Sequence, residues 1–201
     1  MFVKSLIAAL GLTTALGAAA GPLVNGDFEA GLTGWTAVDN VYLAYPAGGD
    51  FWFGVGSIGQ NGQHAAAFNA GDSAPNGSLS QTFATTTGAR YTVSFDFGAT
   101  RCQFSCGQSV LASVLGNDGL GSVSTLTAAG TSSGALNRFT FDFVANGVSS
   151  TLRFSDVASN DTVWLDGVLD NVNVNAVPEP ASLALLGLGL LGLGVARRRR
   201  G

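Results

Sequence analysis

Apolar and polar side chains alternate through most of the middle of this chain. In Arg90-Tyr91-Thr92-Val93-Ser94-Phe95-Asp96-Phe97 the residues Tyr91, Val93, Phe95 and Phe97 fall on one face and polar residues on the other, the pattern of a half-buried β-strand. Asn137 to Val144 repeats it, with Phe139, Phe141 and Phe143 alternating with Arg138, Thr140 and Asp142. Shorter runs predict further strands at Trp35–Val38, Val41–Tyr45, His64–Phe68, Ser78–Phe83, Val110–Leu115, Val123–Leu126, Thr151–Phe154, Val163–Leu165 and Val168–Val174. Turns rich in Gly, Asn, Asp and Ser separate them at roughly eight- to twelve-residue intervals, and no long helical period appears between Gly21 and Ala176. One-sided strands in this number need a second sheet to cover their apolar faces, so the expected fold class is all-β, a β-sandwich or jelly roll.

Two segments break the alternation. Met1 to Ala20 has one early positive charge, Lys4, an apolar stretch from Leu6 to about Leu16, and small residues Ala18-Ala19-Ala20, the order of a signal peptide whose removal starts the mature chain near Gly21. At the other end, Ala181 to Ala196 contains no charged residue and runs into Arg197, Arg198, Arg199 and Arg200. As a helix this segment rises about 24 Å against a hydrocarbon core of about 30 Å, a short span assisted by arginines that reach the interface. Arginines behind an apolar run halt transfer and stay on the cytoplasmic side. Pro178 and Pro180 press Val177 and Glu179 toward extended backbone, which makes a helix-free spacer just outside the membrane.

Charge excludes one class of partner. Nine Lys and Arg fall to four once Lys4 and Arg197 to Arg200 are set aside, and thirteen Asp and Glu fall to twelve without Glu179. The domain from 21 to 176 therefore carries about −8, too acidic to hold a phosphate backbone, and nucleic acid is not an expected partner. With 11% charged and 46% hydrophobic residues and 29 glycines in the whole chain, the composition is that of a turn-rich globular protein.

The C-terminal features resemble a known family. Pro178-Glu179-Pro180, the Gly/Leu-rich apolar segment and the arginine cluster, in that order over residues 177–201, look like the PEP-CTERM sorting signal of exported bacterial proteins. The resemblance implies recognition by an exosortase, membrane anchoring before processing, removal of the tail, and a final place at the cell surface or outside cells that make exopolysaccharide.

A second resemblance spans the domain. Asn25-Gly26-Asp27-Phe28-Glu29, followed by Gly31 and Gly34-Trp35, opens like the galactose-binding-like jelly rolls of many carbohydrate-binding modules, and Leu169-Asp170-Asn171-Val172 closes like them. Gln81-Thr82-Phe83 and Gly88-Ala89-Arg90-Tyr91-Thr92-Val93 resemble their central strands. In such modules the first and last strands lie side by side, and an N-terminal acid with a C-terminal Asp holds a structural calcium. Carried over, Glu29 and Asp170 match those ligands with Asp27 as a helper. The alternative is that Asp27 and Asp170 only cap turns and stay solvated.

The remaining candidate chemistry is sparse. Cys102 and Cys106, in an exported chain, are expected to form a disulfide closing a small loop. Gly54-Val55-Gly56-Ser57-Ile58-Gly59 fits a dinucleotide fingerprint by letter but lacks the strand and helix that fingerprint needs, and Asn117-Asp118-Gly119 reads as a hairpin turn. His64, the single histidine, reads as a hydrogen-bonding residue, since no nucleophile or metal-ligand spacing accompanies it. No catalytic residues are therefore expected, although a polysaccharide hydrolase stays open because a pair of acids is recognised only by geometry. Tyr42, Tyr45 and Trp52 are the candidate sugar-stacking side chains, with Trp52 the outward member of Phe51-Trp52-Phe53. Thr85-Thr86-Thr87 is a single run and does not supply the repeated array of an ice-binding face, which leaves an ice-binding protein as a lesser alternative beside the hydrolase. The expected protein is an exported, noncatalytic matrix or surface protein that binds extracellular polysaccharide; the alternative is a structural or adhesive envelope protein without a small ligand.

Overall fold

The computed structural model describes residues 23–44, 64–69, 73–99, 108–116, 122–130, 136–160 and 167–178. Ten strands run in chain order: β1 (Thr36–Val38), β2 (Val41–Ala44), β3 (Ala65–Phe68), β4 (Ser78–Ala84), β5 (Arg90–Ala99), β6 (Gln108–Leu115), β7 (Ser122–Gly130), β8 (Asn137–Val144), β9 (Ser149–Asp156) and β10 (Gly167–Ala176). They form two five-stranded sheets, ordered β1-β4-β9-β6-β7 and β2-β3-β10-β5-β8, with antiparallel pairing throughout. The expected all-β sandwich is the observed fold. Strands expected from alternation recur within a few residues of their observed limits; Val163–Leu165 lies outside the described residues.

The alternating faces meet between the sheets. Tyr91, Val93, Phe95 and Phe97 of β5 are all buried, opposite Leu152 and Phe154 of β9. Phe95 joins the layers through rings: it stacks on Phe139 of β8 at 5.7 Å and meets Phe154 of β9 edge-on at 5.0 Å. Such pairs add about 0.5–1.5 kcal/mol each to the burial of their area. Tyr91 is also buried, and its hydroxyl accepts a hydrogen bond from the Thr86 amide at 2.8 Å, tying the β4–β5 turn to the core.

β10 is the strand that positions everything polar. It pairs with β3 through Gly167–Leu169 and with β5 along nearly its full length, so it lies at the centre of its sheet. Its register against β5 slips between Asp170 and Asn173, and Asn171 takes a left-handed φ of 52°. One inserted residue in a strand re-aims its neighbours. Leu169, Val172 and Val174 still reach the core, while Asp170, Asn171, Asn173 and Asn175 are left to the outer face.

Candidate functional site: a polar cleft over an acidic cluster

The stretch from Asn25 to Glu29 assigns each residue a separate task. The Asn25 carboxamide binds the carbonyls of Gly31 and Thr33 and accepts from the Ala30 amide, which closes the loop on itself. Gly26 lies against β10, its carbonyl accepting the Val172 amide at 2.8 Å, and a Cβ at this position would strike the Val172 carbonyl. Phe28 is fully buried and packs on Trp35 with 5.4 Å between rings, anchoring the segment in the core. Asp27 and Glu29, on either side of this anchor, are thereby held close to β10.

Between this segment and the outer face of β10, β5 and β8 runs an open polar cleft of about 490 Å³. Asn171, Asn173 and Asn175 of β10 line it together with Ser94 of β5 and Arg138 of β8, and Asn25 and Asp27 line it from the N-terminal segment. Carboxamides two residues apart on an extended strand point the same way at a fixed repeat, which gives a row of paired donors and acceptors.

Beneath one end of the cleft the acids converge. Asp96 and Asp170 are directly opposite each other on β5 and β10, and both are buried. Arg138, opposite Asp96 on its other side, binds it through Nε at 2.5 Å, and the Asn171 carboxamide donates to Asp96 Oδ2 at 2.8 Å. Among the described residues, Asp170 receives its hydrogen bonds from Asn171, from the backbone amide at 2.7 Å and the carboxamide at 3.4 Å. Burial pushes its carboxyl up to about 7, and the negative charges of Asp96, Glu29 and Asp27 push the same way against the Asn171 amide. Glu29 is engaged by His64, whose backbone amide donates to Oε1 at 3.0 Å and whose Nδ1 lies 3.3 Å from Oε2. The lone histidine is thus a hydrogen-bonding partner of one of the acids.

The structure therefore brings Glu29, Asp27 and Asp170 into mutual electrostatic range around β10. Among the described residues, no group of three or more acidic, His or Cys side chains is arranged to hold a metal. Asp170 nonetheless fits a hard cation: it is a buried carboxylate with no salt-bridge partner among the described residues, near further carboxylates, and backbone carbonyls can complete such a shell. Tyr42 is exposed on the outer face of edge strand β2, its hydroxyl 3.2 Å from the Asn40 carboxamide oxygen, away from the cleft. Tyr45, Trp52, Cys102, Cys106, Glu179, Pro180 and Arg197 to Arg200 lie outside the described residues, as do the leader 1–20, the apolar segment 181–196 and the turns at Gly54–Gly59 and Asn117–Gly119; Pro178 is exposed at the end of the domain. Sequence reasoning missed Asp96, Arg138, Asn173 and Asn175. The every-second-residue asparagines of the last strand were the available signal, but the Asp96–Arg138 pair depends on a register that only the fold supplies.

Comparisons with known proteins agree with this architecture. Residues 21–175 match a family model described as a protein of unknown function, DUF642, and residues 176–200 match the PEP-CTERM protein-sorting motif. No curated protein matches the chain. Among solved structures, the carbohydrate-binding module TmCBM61, determined in complex with β-1,4-galactotriose, has a TM-score of 0.53 at 15% identity, covering 77% of this chain and 97% of its own. The K3 cleaved adhesin domain of Lys-gingipain from Porphyromonas gingivalis W83 has a TM-score of 0.51 at 17% identity, covering 77% of this chain and 98% of its own. At these identities the likeness is one of fold.

Proposed function

This chain belongs to the DUF642 family and carries a PEP-CTERM protein-sorting motif, and from that premise we propose that it is an exported, noncatalytic polysaccharide-binding protein, sorted by an exosortase and delivered to the cell surface or matrix. The observation that supports glycan binding is the cleft itself: Asn171, Asn173 and Asn175 of β10 lie beside Ser94 of β5 and Arg138 of β8 on the floor of an open groove, so that several carboxamides can meet vicinal hydroxyls together. A fold shared with a module solved in complex with β-1,4-galactotriose supports this use of the scaffold without assigning the sugar. A noncatalytic role is consistent with the commitments of the titratable groups, since Asp96 is held by Arg138 and Glu29 by His64.

A calcium ion belongs to the same proposal. Asp170 and Glu29, assisted by Asp27, would hold it, and it would supply the positive charge that lets these acids ionise side by side. Its role is structural, fixing the N-terminal wall of the cleft against β10.

The test is a glycan array followed by affinity electrophoresis on the polysaccharides that score, comparing the native chain with Asn173→Ala/Asn175→Ala. Retention by the native protein and its loss in the double variant are expected. A silent array would favour the second reading, a structural or adhesive envelope protein, which draws support from the adhesin domain that shares the fold.

A further inference from the structure

The two interlocked turns at one end of the sandwich present apolar side chains to solvent where the sorting tail leaves the domain. Val148, at the tip of the β8–β9 turn, is 70% exposed, Val144 48% and Val177 38%. Val144 and Val177 share one row, and Val148 lies in the turn that follows Val144. Val144 lies directly opposite Arg90 in the β5–β8 ladder, and the Val177 amide donates to the Arg90 carbonyl at 2.9 Å, so Val177, Arg90 and Val144 form a row across adjacent strands. The turns are fixed to each other: the Thr85 amide donates to the Val148 carbonyl, the Gly88 amide to Ala145, and the Ala145 amide to Ala89.

Charge is nearly absent from this edge. Residues 85–89 and 145–148 include no acidic or basic side chain, and the charged groups facing the row are Arg90 and Asp142, which lie 3.6 Å apart. Asp142 is further satisfied by the Thr92 hydroxyl at 2.7 Å. An apolar rim whose arginine is already paired with Asp142 suits the headgroup boundary of a bilayer, where valines enter the acyl edge and no net charge is brought to the surface.

Chain length names the occupant. From Pro178 the sequence reaches the start of the apolar segment at Ala181 in three steps, which extended backbone covers in about 10 Å. While the tail is in the membrane, no other part of the described domain is tethered so closely to lipid. We propose that the edge formed by Val144, Val148, Val177 and Arg90 is a membrane-docking footprint that rests on the outer surface of the bilayer until the tail is removed, fixing the depth at which Pro178-Glu179-Pro180 is presented. This inference rests on the sorting reading given above.

The test uses the full chain in nanodiscs of phosphatidylglycerol and phosphatidylethanolamine, with hydrogen exchange followed by mass spectrometry. The expected result is severalfold slower exchange across 85–89 and 145–149 in the native chain than in Val144→Asp/Val148→Asp, with 156–160 at the opposite end exchanging equally in both. Equal exchange at the turns in two chains that are both retained in nanodiscs would overturn the footprint while leaving the sorting reading intact. A native chain that does not enter nanodiscs would overturn both.

Discussion

Asp170 and Asp96 face each other across neighbouring strands, and the carboxamide of Asn171, placed beside them by a bulge, reaches both. Like charges directly opposite in a ladder repel. The protein offsets this on one side with Arg138 and leaves Asp170 on the other with amides only.

Stability should therefore fall as pH rises through the Asp170 transition in calcium-free buffer. A carboxyl whose folded value is about 7, against an ordinary 3.8, contributes stability that is complete below about 4 and is lost by the time pH passes 7. The loss is bounded by about 4 kcal/mol, the linkage value of that displacement. Urea melts at pH 5 and pH 8 should show the decline, and Asp170→Asn should flatten it. A native protein equally stable at both pH values would contradict this account.

Calcium should reverse the decline. Adding it at pH 8 is expected to raise the Tm of the native chain, as any ligand selective for the folded state does, and to leave Asp170→Asn unmoved. Isothermal titration with calcium alone, against magnesium, measures the same event directly; no heat from either ion would remove calcium from the description.

Arg138→Met should destabilise the domain by about 1–3 kcal/mol, because it leaves Asp96 buried and unpaired beside Asp170. Half of the arginine side chain is in water, which keeps the loss below that of a wholly buried pair. Urea unfolding of this variant and of Arg138→Met/Asp96→Asn, which should recover part of the loss, checks the assignment.

Gly26→Ala should cost about 2–4 kcal/mol, since the added methyl meets backbone at Val172 and the Asn25–Glu29 wall must move away from β10. Gly88→Ala is the contrasting case: its Cβ meets nothing, and only the left-handed φ of 81° opposes it, so a smaller loss of about 1 kcal/mol is expected.

Much of this architecture was legible in alternation because each long strand has one buried face. Tyr91, Val93, Phe95 and Phe97 announce β5, and Asn25 to Glu29 with Leu169 to Val172 mark the two segments that meet. Less legible was what the meeting does. The bulge at Asn171 breaks the period by a single residue and leaves no compositional trace, yet it puts Asp170 and Asn171 on one face. Phe139 and Phe141 alternate as strongly as the β5 aromatics but are only partly buried, because β8 is the edge of its sheet, a position set by topology. Arg138 reads as the polar member of that alternation; its pairing with Asp96 appears only when β8 is laid against β5.

The central place of β10 has a temporal consequence. A strand that closes its sheet between β3 and β5 is the last to be made, and the tail follows it directly. The sheet of β1, β4, β9, β6 and β7 can pair before β10 exists, whereas β2 and β3 have no partner joining them to β5 and β8 until residue 176 has been made, so one half of the sandwich waits for the last strand.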